Sequence, residues 1–128
     1  MRPQNLSRLI STRGTAAIEY AIVLPALLVC LLGIMDTGRL FWTSTTLQRA
    51  VASAARCGGI PAPDCGTVAQ IKDKAVKEAW SITLDPAAVN VVTEACGVRV
   101  TATLAFAFTV PGFLPINLTA STCNATKP

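Results

Sequence analysis

The pattern of apolar and polar positions divides the 128-residue chain into three stretches of different character. Between Arg13 and Asp36 lie 22 residues whose single formal charge is Glu19. As a helix they would reach about 33 Å, enough to cross a bilayer core of about 30 Å. Pro25 argues against an ordinary soluble helix, but membrane helices accept proline because neighbouring groups re-satisfy the freed carbonyl. The rest of the chain is too small to wrap this segment as a buried core helix. The run also exceeds the apolar core of about 7–15 residues found in secretory signal peptides. The first A-x-A pattern, Ala52-Ser53-Ala54, falls far past its end. A retained transmembrane helix over about residues 16–35 is predicted.

The helical period continues outside the membrane. Leu40, Leu47, Ala50, Val51, Ala54 and Ala55 recur at three-, four- and seven-residue spacing, with Ser44, Gln48, Arg49, Ser53 and Arg56 between them. Thr43-Ser44-Thr45-Thr46 has poor helix propensity and predicts a flexible point just beyond the bilayer. Cys57-Gly58-Gly59 supplies a stop. A helix over residues 15–56 would be about 63 Å long if continuous.

The third stretch, residues 57–128, reads as a small α+β domain. Thr67 and Gln70 fit a capping box, and Val68, Ile71, Ala75, Val76, Ala79 and Trp80 form an apolar face, so a helix is predicted over residues 68–80. "VNVVT" at residues 89–93 reads as a short strand. "VRVTATLAFAFTV" alternates cleanly, with Val98, Val100, Ala102, Leu104, Phe106 and Phe108 on one face and Arg99, Thr101 and Thr103 on the other. "INLTAST" offers a third strand after "PGFLP". About three antiparallel strands with the amphipathic helix over their apolar face is the simplest way to hide both surfaces.

Charge sharpens the membrane reading. The net charge is +4, yet without Arg2, Arg8 and Arg13 it would be +1. Basicity therefore marks the N-terminal flank of the apolar run, which places that end in the cytoplasm and residues 57–128 outside. Phe41 and Trp42 follow the run as interfacial aromatics. Lys72, Lys74 and Lys77 alternate with Asp73 and Glu78 as a solvated helix face would, which is no footprint for nucleic acid.

Five cysteines complete the inventory. Cys30 lies within the apolar run and reads as inert. Cys57, Cys65, Cys96 and Cys123 fall outside it, an even set suited to an oxidising compartment. Four cysteines permit three pairings. Cys57 with Cys65 is favoured because Gly58, Gly59, Pro61 and Pro63 allow a tight reversal, which leaves Cys96 with Cys123. A small core gains about 2–4 kcal/mol from each such bridge. Without any His or a Cys-x-x-Cys pair, the chain offers no metal site, and Ser-His or Cys-His catalysis is excluded. No phosphate-cradling glycine loop appears, and the acids lack partners for acid–base work. Asp36 and Arg39 read as a modest surface pair. No enzyme, cofactor or small-molecule substrate is expected.

One further pattern stands out. The basic leader ending in Gly14, then "TAAIEYAIVLP", "LLGIMDTGRLFW" and "LQRAVASAAR", closely resembles TadE-like proteins, pilin-like membrane proteins of the tight-adherence (Flp, type IVc) pilus machinery. Asp36 stands where a Glu is commoner in that family. The resemblance implies a leader over residues 1–14, cut between Gly14 and Thr15 by a prepilin peptidase, then the helix over residues 15–56 and a periplasmic domain over residues 57–128. It implies assembly with other pilin-like subunits and tight-adherence secretion components in a bacterial inner membrane, with entry into the pilus open. Glu19 would become the fifth residue of the mature chain. A charged side chain at mid-bilayer costs roughly 2.5–3.5 kcal/mol, so a carboxylate there implies a partner. The amine freed at Thr15, in the same or an adjacent subunit, is one. Alternatively Glu19 sits at headgroup level, where the helix dipole favours an anion. The function expected is that of a minor or accessory subunit; the rival is an uncleaved single-pass protein with a periplasmic binding domain.

Overall fold

The computed structural model describes residues 13–126. Arg2, Arg8 and most of the expected leader lie outside the described residues. The first element, α1 (Arg13–Gly58), is a 46-residue helix, about 69 Å long at ~1.5 Å per residue. It passes through Pro25, which leaves the carbonyl of Ala21 without its usual intrahelical donor. It also runs unbroken through residues 43–46, correcting the expected flexible point. There the Thr43 hydroxyl donates to the Arg39 carbonyl at 2.8 Å and Thr45 to the Phe41 carbonyl at 3.0 Å. The hydroxyls turn back onto the helix instead of opening it.

The two halves of α1 differ in environment. Residues 16–32 are exposed at every position, whereas Leu47, Ala50, Val51, Ala54 and Ala55 are fully buried. These five form a stripe of small side chains that lets the helix backbone approach the sheet closely. The apolar face of the sheet is thus covered by the outer half of α1 together with α2 (Val68–Glu78). Ile71 and Ala75 of α2 enter this shared core, joined by Ala79 and Leu84 just beyond the helix.

At the start of α2, Thr67 and Gln70 form the reciprocal capping box: the Gln70 N–H donates to Thr67 Oγ1 at 3.3 Å and the Thr67 N–H to Gln70 Oε1 at 3.0 Å. Its outer face carries Lys74–Glu78 and Lys77–Asp73 ion pairs at 2.8 and 2.7 Å. Two residues of the predicted apolar face stay out of the core. Val68 is exposed in the first turn, and Trp80, past the helix end, is half exposed and packs edge-on against Trp42 at 5.9 Å.

A single turn of 3-10 helix at Pro86–Ala88 leads into β1 (Val89–Glu94). β2 (Gly97–Phe106) and β3 (Ile116–Asn124) complete an antiparallel meander in the order β1-β2-β3. Gly97 faces Glu94 across the first hairpin with φ +118°, a conformation that disfavours a side chain, so glycine is required there. Val98, Val100, Ala102 and Phe106 turn inward, as the alternation predicts. The opposite face is polar: Thr101 meets Ser121 at 3.0 Å, Thr103 meets Thr119 at 3.3 Å, and Arg99 pairs with Glu94 at 2.7 Å. Cys57 is bonded to Cys65 beside the end of α1, and Cys96, in the first hairpin turn, to Cys123 near the end of β3. The shared core packs the outer half of α1 against the sheet, while the disulfides close the turn after α1 and tie the first hairpin to β3.

Candidate assembly interface

The inner half of α1 presents a long exposed apolar surface. Ile18, Ile22, Leu24, Leu28 and Ile34, spread around the helix, are all more than half exposed. The helix is long and apolar enough to cross a membrane, and no residue of its most apolar window is buried. A contiguous apolar surface of this kind suits contact with lipid or with other helices. Gly14 is exposed in the first turn, and the Gly14–Thr15 peptide lies in that turn. Glu19 stands exposed four residues after Thr15, about 6 Å along the axis. These three positions share one end of the helix, and the four disulfide cysteines share the other, about 57 Å from Glu19 to Cys57. Cys30, the free cysteine among the described residues, is exposed on the apolar half.

Between the halves lies a polar joint. Asp36 is 3% exposed, not the surface residue that its spacing to Arg39 suggests. Its Oδ2 accepts the backbone N–H groups of Thr109 at 2.7 Å and Val110 at 3.0 Å. Its Oδ1 accepts from Arg39 Nη1 at 2.9 Å, and the same nitrogen donates to the Thr109 hydroxyl at 2.6 Å. The Arg39 guanidinium also lies over the Phe106 ring, 5.4 Å from its centroid. The Val110 amide, opposed by burial and aided by Thr109 and Arg39, holds the Asp36 carboxyl below the usual aspartate range. The joint explains where β2 stops. The predicted strand continues to Val110, but the observed one ends at Phe106, because the amides of Thr109 and Val110 turn to Asp36 instead of a neighbouring strand.

One signal in the sequence points to this arrangement. Asp36 lies eleven residues before Leu47, three helical turns, and so falls in phase with the buried stripe. A charge in phase with a core face needs an internal partner. Among the described residues no group of three or more His, Cys, Asp or Glu gathers into a metal-binding cluster.

The stretch that makes both the exposed apolar half and the joint is also the stretch with a recognisable relationship. Residues 14–56 match the family of TadE-like proteins. The match covers the segment on which the sequence resemblance rests and bears that resemblance out. No curated protein and no solved structure matches the chain. The TadE-like segment begins at Gly14, at the peptide read as the processing site, and ends two residues short of the end of α1. It therefore contains Glu19 and Asp36 but not the α+β domain. The TadE-like relationship belongs to the helix, and the domain is packed onto its outer half.

Proposed function

We propose that this protein is a minor or accessory pilin-like subunit serving assembly of a tight-adherence pilus. The observation that carries the reading is the match of residues 14–56 to TadE-like proteins, on a helix whose inner half stands uncovered. Residues 1–14 act as a leader, and a prepilin peptidase cuts between Gly14 and Thr15 on the cytoplasmic side. The first turn of a helix has N–H groups without internal partners and is the part most easily unwound for such a cut. Residues 16–35 cross the inner membrane with the N-terminus in the cytoplasm, and residues 57–128 form the periplasmic domain. Glu19 then pairs with the amine released at Thr15 of its own or a neighbouring subunit. The exposed apolar half of α1 packs against sister helices, and the outer domain docks with neighbouring subunits or secretion components. Over half of the chain lies in that domain, more than the helix-only form of a major Flp-type pilin, which supports the accessory role.

N-terminal sequencing and intact mass of protein isolated from membranes test the proposal. A mature chain beginning at Thr15 is expected. A chain that keeps Met1 would favour the uncleaved single-pass protein with a periplasmic binding domain.

A further inference from the structure

We propose that the β2–β3 loop, residues 107–115, is a second membrane contact, seating Phe113 and Leu114 in the interfacial layer of the leaflet from which α1 emerges. The inference rests on the membrane reading of α1 given above. The loop "AFTVPGFLP" contains no charged residue, and its tip exposes Phe113 at 65% and Leu114 at 83%. Exposure alone would say nothing of what covers it; its position does. Gly33, Asp36 and Thr37 of α1 line a cavity of about 190 Å³ with Phe108, Val110 and Phe113 of the loop. Gly33 lies within the transmembrane segment, about 4.5 Å below Asp36 along the axis. The loop is therefore held beside the last turn of the lipid-facing helix, where lipid is the ordinary neighbour. A protein partner at that depth would itself have to lie in the bilayer.

The loop is also built to stay there. Asp36 grips the Thr109 and Val110 amides at its entrance. Pro111 restricts the chain, and Gly112 at φ +94° turns it, a conformation natural to glycine alone. Phe106 meets Phe108 edge-on and Phe108 meets Phe113 at a tilt, with centroids 5.3 and 5.6 Å apart, so the tip is braced from the sheet. Aromatic and leucine side chains without charge suit the headgroup–acyl boundary. Two contacts, one helix and one loop, would fix the tilt of the outer domain against the membrane.

Bromolipid quenching of tryptophan tests this on the full chain. Trp42→Phe and Trp80→Phe remove the native emitters, and Leu114→Trp, Ile22→Trp or Ile60→Trp is then added singly. Each is reconstituted at high lipid-to-protein ratio in phosphatidylethanolamine–phosphatidylglycerol vesicles, with or without bromine near the glycerol end of the acyl chains. Leu114→Trp should lose most of its emission to bromolipid, as Ile22→Trp does, while Ile60→Trp at the far end of α1 keeps its own. Quenching of Ile22→Trp but not Leu114→Trp overturns the loop contact and leaves the anchor standing. Quenching of neither overturns both. Leu114→Trp emission that is unquenched and shifts to the blue only as protein is crowded assigns the loop to a sister copy, which also overturns the proposal. The wild-type chain gives a substitution-free check: a lipid with a photoreactive group at the glycerol level should label the peptide containing residues 111–116, and failure to label it counts against the contact.

Discussion

The carboxylate of Asp36 and the backbone N–H of Val110, 74 residues apart in the chain, meet at 3.0 Å. With the Thr109 amide and Arg39 they form the polar joint where the uncovered half of α1 meets the packed half. Every partner of this carboxylate is a donor. Asp36→Asn keeps the shape but turns an NH2 group toward donors and removes the charge that strengthens the bonds. Faster hydrogen exchange at the Thr109 and Val110 amides is expected, with a fall in Tm on the order of 5 °C for the outer domain in mild detergent. Unchanged exchange at both amides would mean that the loop is held by other contacts.

The same pair makes acid stability specific to one residue. Donation from Val110 and its neighbours depresses the folded pKa of Asp36 below its ordinary value of 3.8. A depressed carboxylate stabilises the fold above its unfolded pKa and loses that contribution as pH falls through the folded one. Wild-type protein should therefore hold its full Asp36 contribution above about pH 4 and shed it only in stronger acid. Thermal melts as a function of pH, compared with Asp36→Asn, measure this: the gap between the two should close as the wild-type carboxylate protonates.

Much of this fold can be read from local pattern. The alternation of β2 places Val98, Val100 and Ala102 in the core, and Thr67 with Gln70 marks the start of α2. The uncovered helix follows from its unbroken apolar run. What local pattern does not contain is the joint, because burial of Asp36 depends on a loop 73 residues away. Strand propensity alone carries β2 on to Val110, whereas a buried carboxylate claims the last amides. Trp80 likewise fits the apolar period of α2, but the helix ends before it and the ring finds Trp42 instead. Tertiary hydrogen bonding and packing decided these places over propensity. Glu19 is legible as the lone carboxylate of the apolar run, and the fold leaves it exposed on the inner half of α1.

The two disulfides should differ in worth. Cys96–Cys123 closes a separation of 27 residues and Cys57–Cys65 one of 8. Chain-entropy reasoning makes the longer loop more stabilising by about 1 kcal/mol. Paired Cys→Ser replacement at 96 and 123 should therefore lower the denaturant midpoint of the outer domain more than replacement at 57 and 65. Equal losses, or the reverse order, would show that the short bridge acts mainly by holding the end of α1 to its turn.

Burial predicts a sharp contrast along a single helix. Leu47 is 1% exposed within the core shared by α1, α2 and the sheet, whereas Leu28 is half exposed on the uncovered half of α1. Leu47→Ala should destabilise the outer domain by about 2–5 kcal/mol through lost contacts and a residual cavity. Leu28→Ala should leave the unfolding of that domain unchanged, since it lies outside the shared core. Denaturation in detergent followed by near-ultraviolet circular dichroism separates them.

Glu19 is where fold and assembly part company, and its substitution is the strictest test of the proposed function. The side chain is exposed and shares no contact with the outer domain, so Glu19→Ala should leave folding and Tm unaltered. Insertion should also survive, because removing a charge from an apolar run makes lipid more favourable, not less. What should fall is pilus output, measured as surface fibre, since the amine freed at Thr15 then lacks its counter-charge. Glu19→Gln separates charge from hydrogen bonding: it keeps the acceptor and length but removes the anion, and it should resemble Glu19→Ala if ion pairing is the essential term. Full pilus output from both variants would restrict Glu19 to a headgroup-level anion near the positive end of the helix dipole.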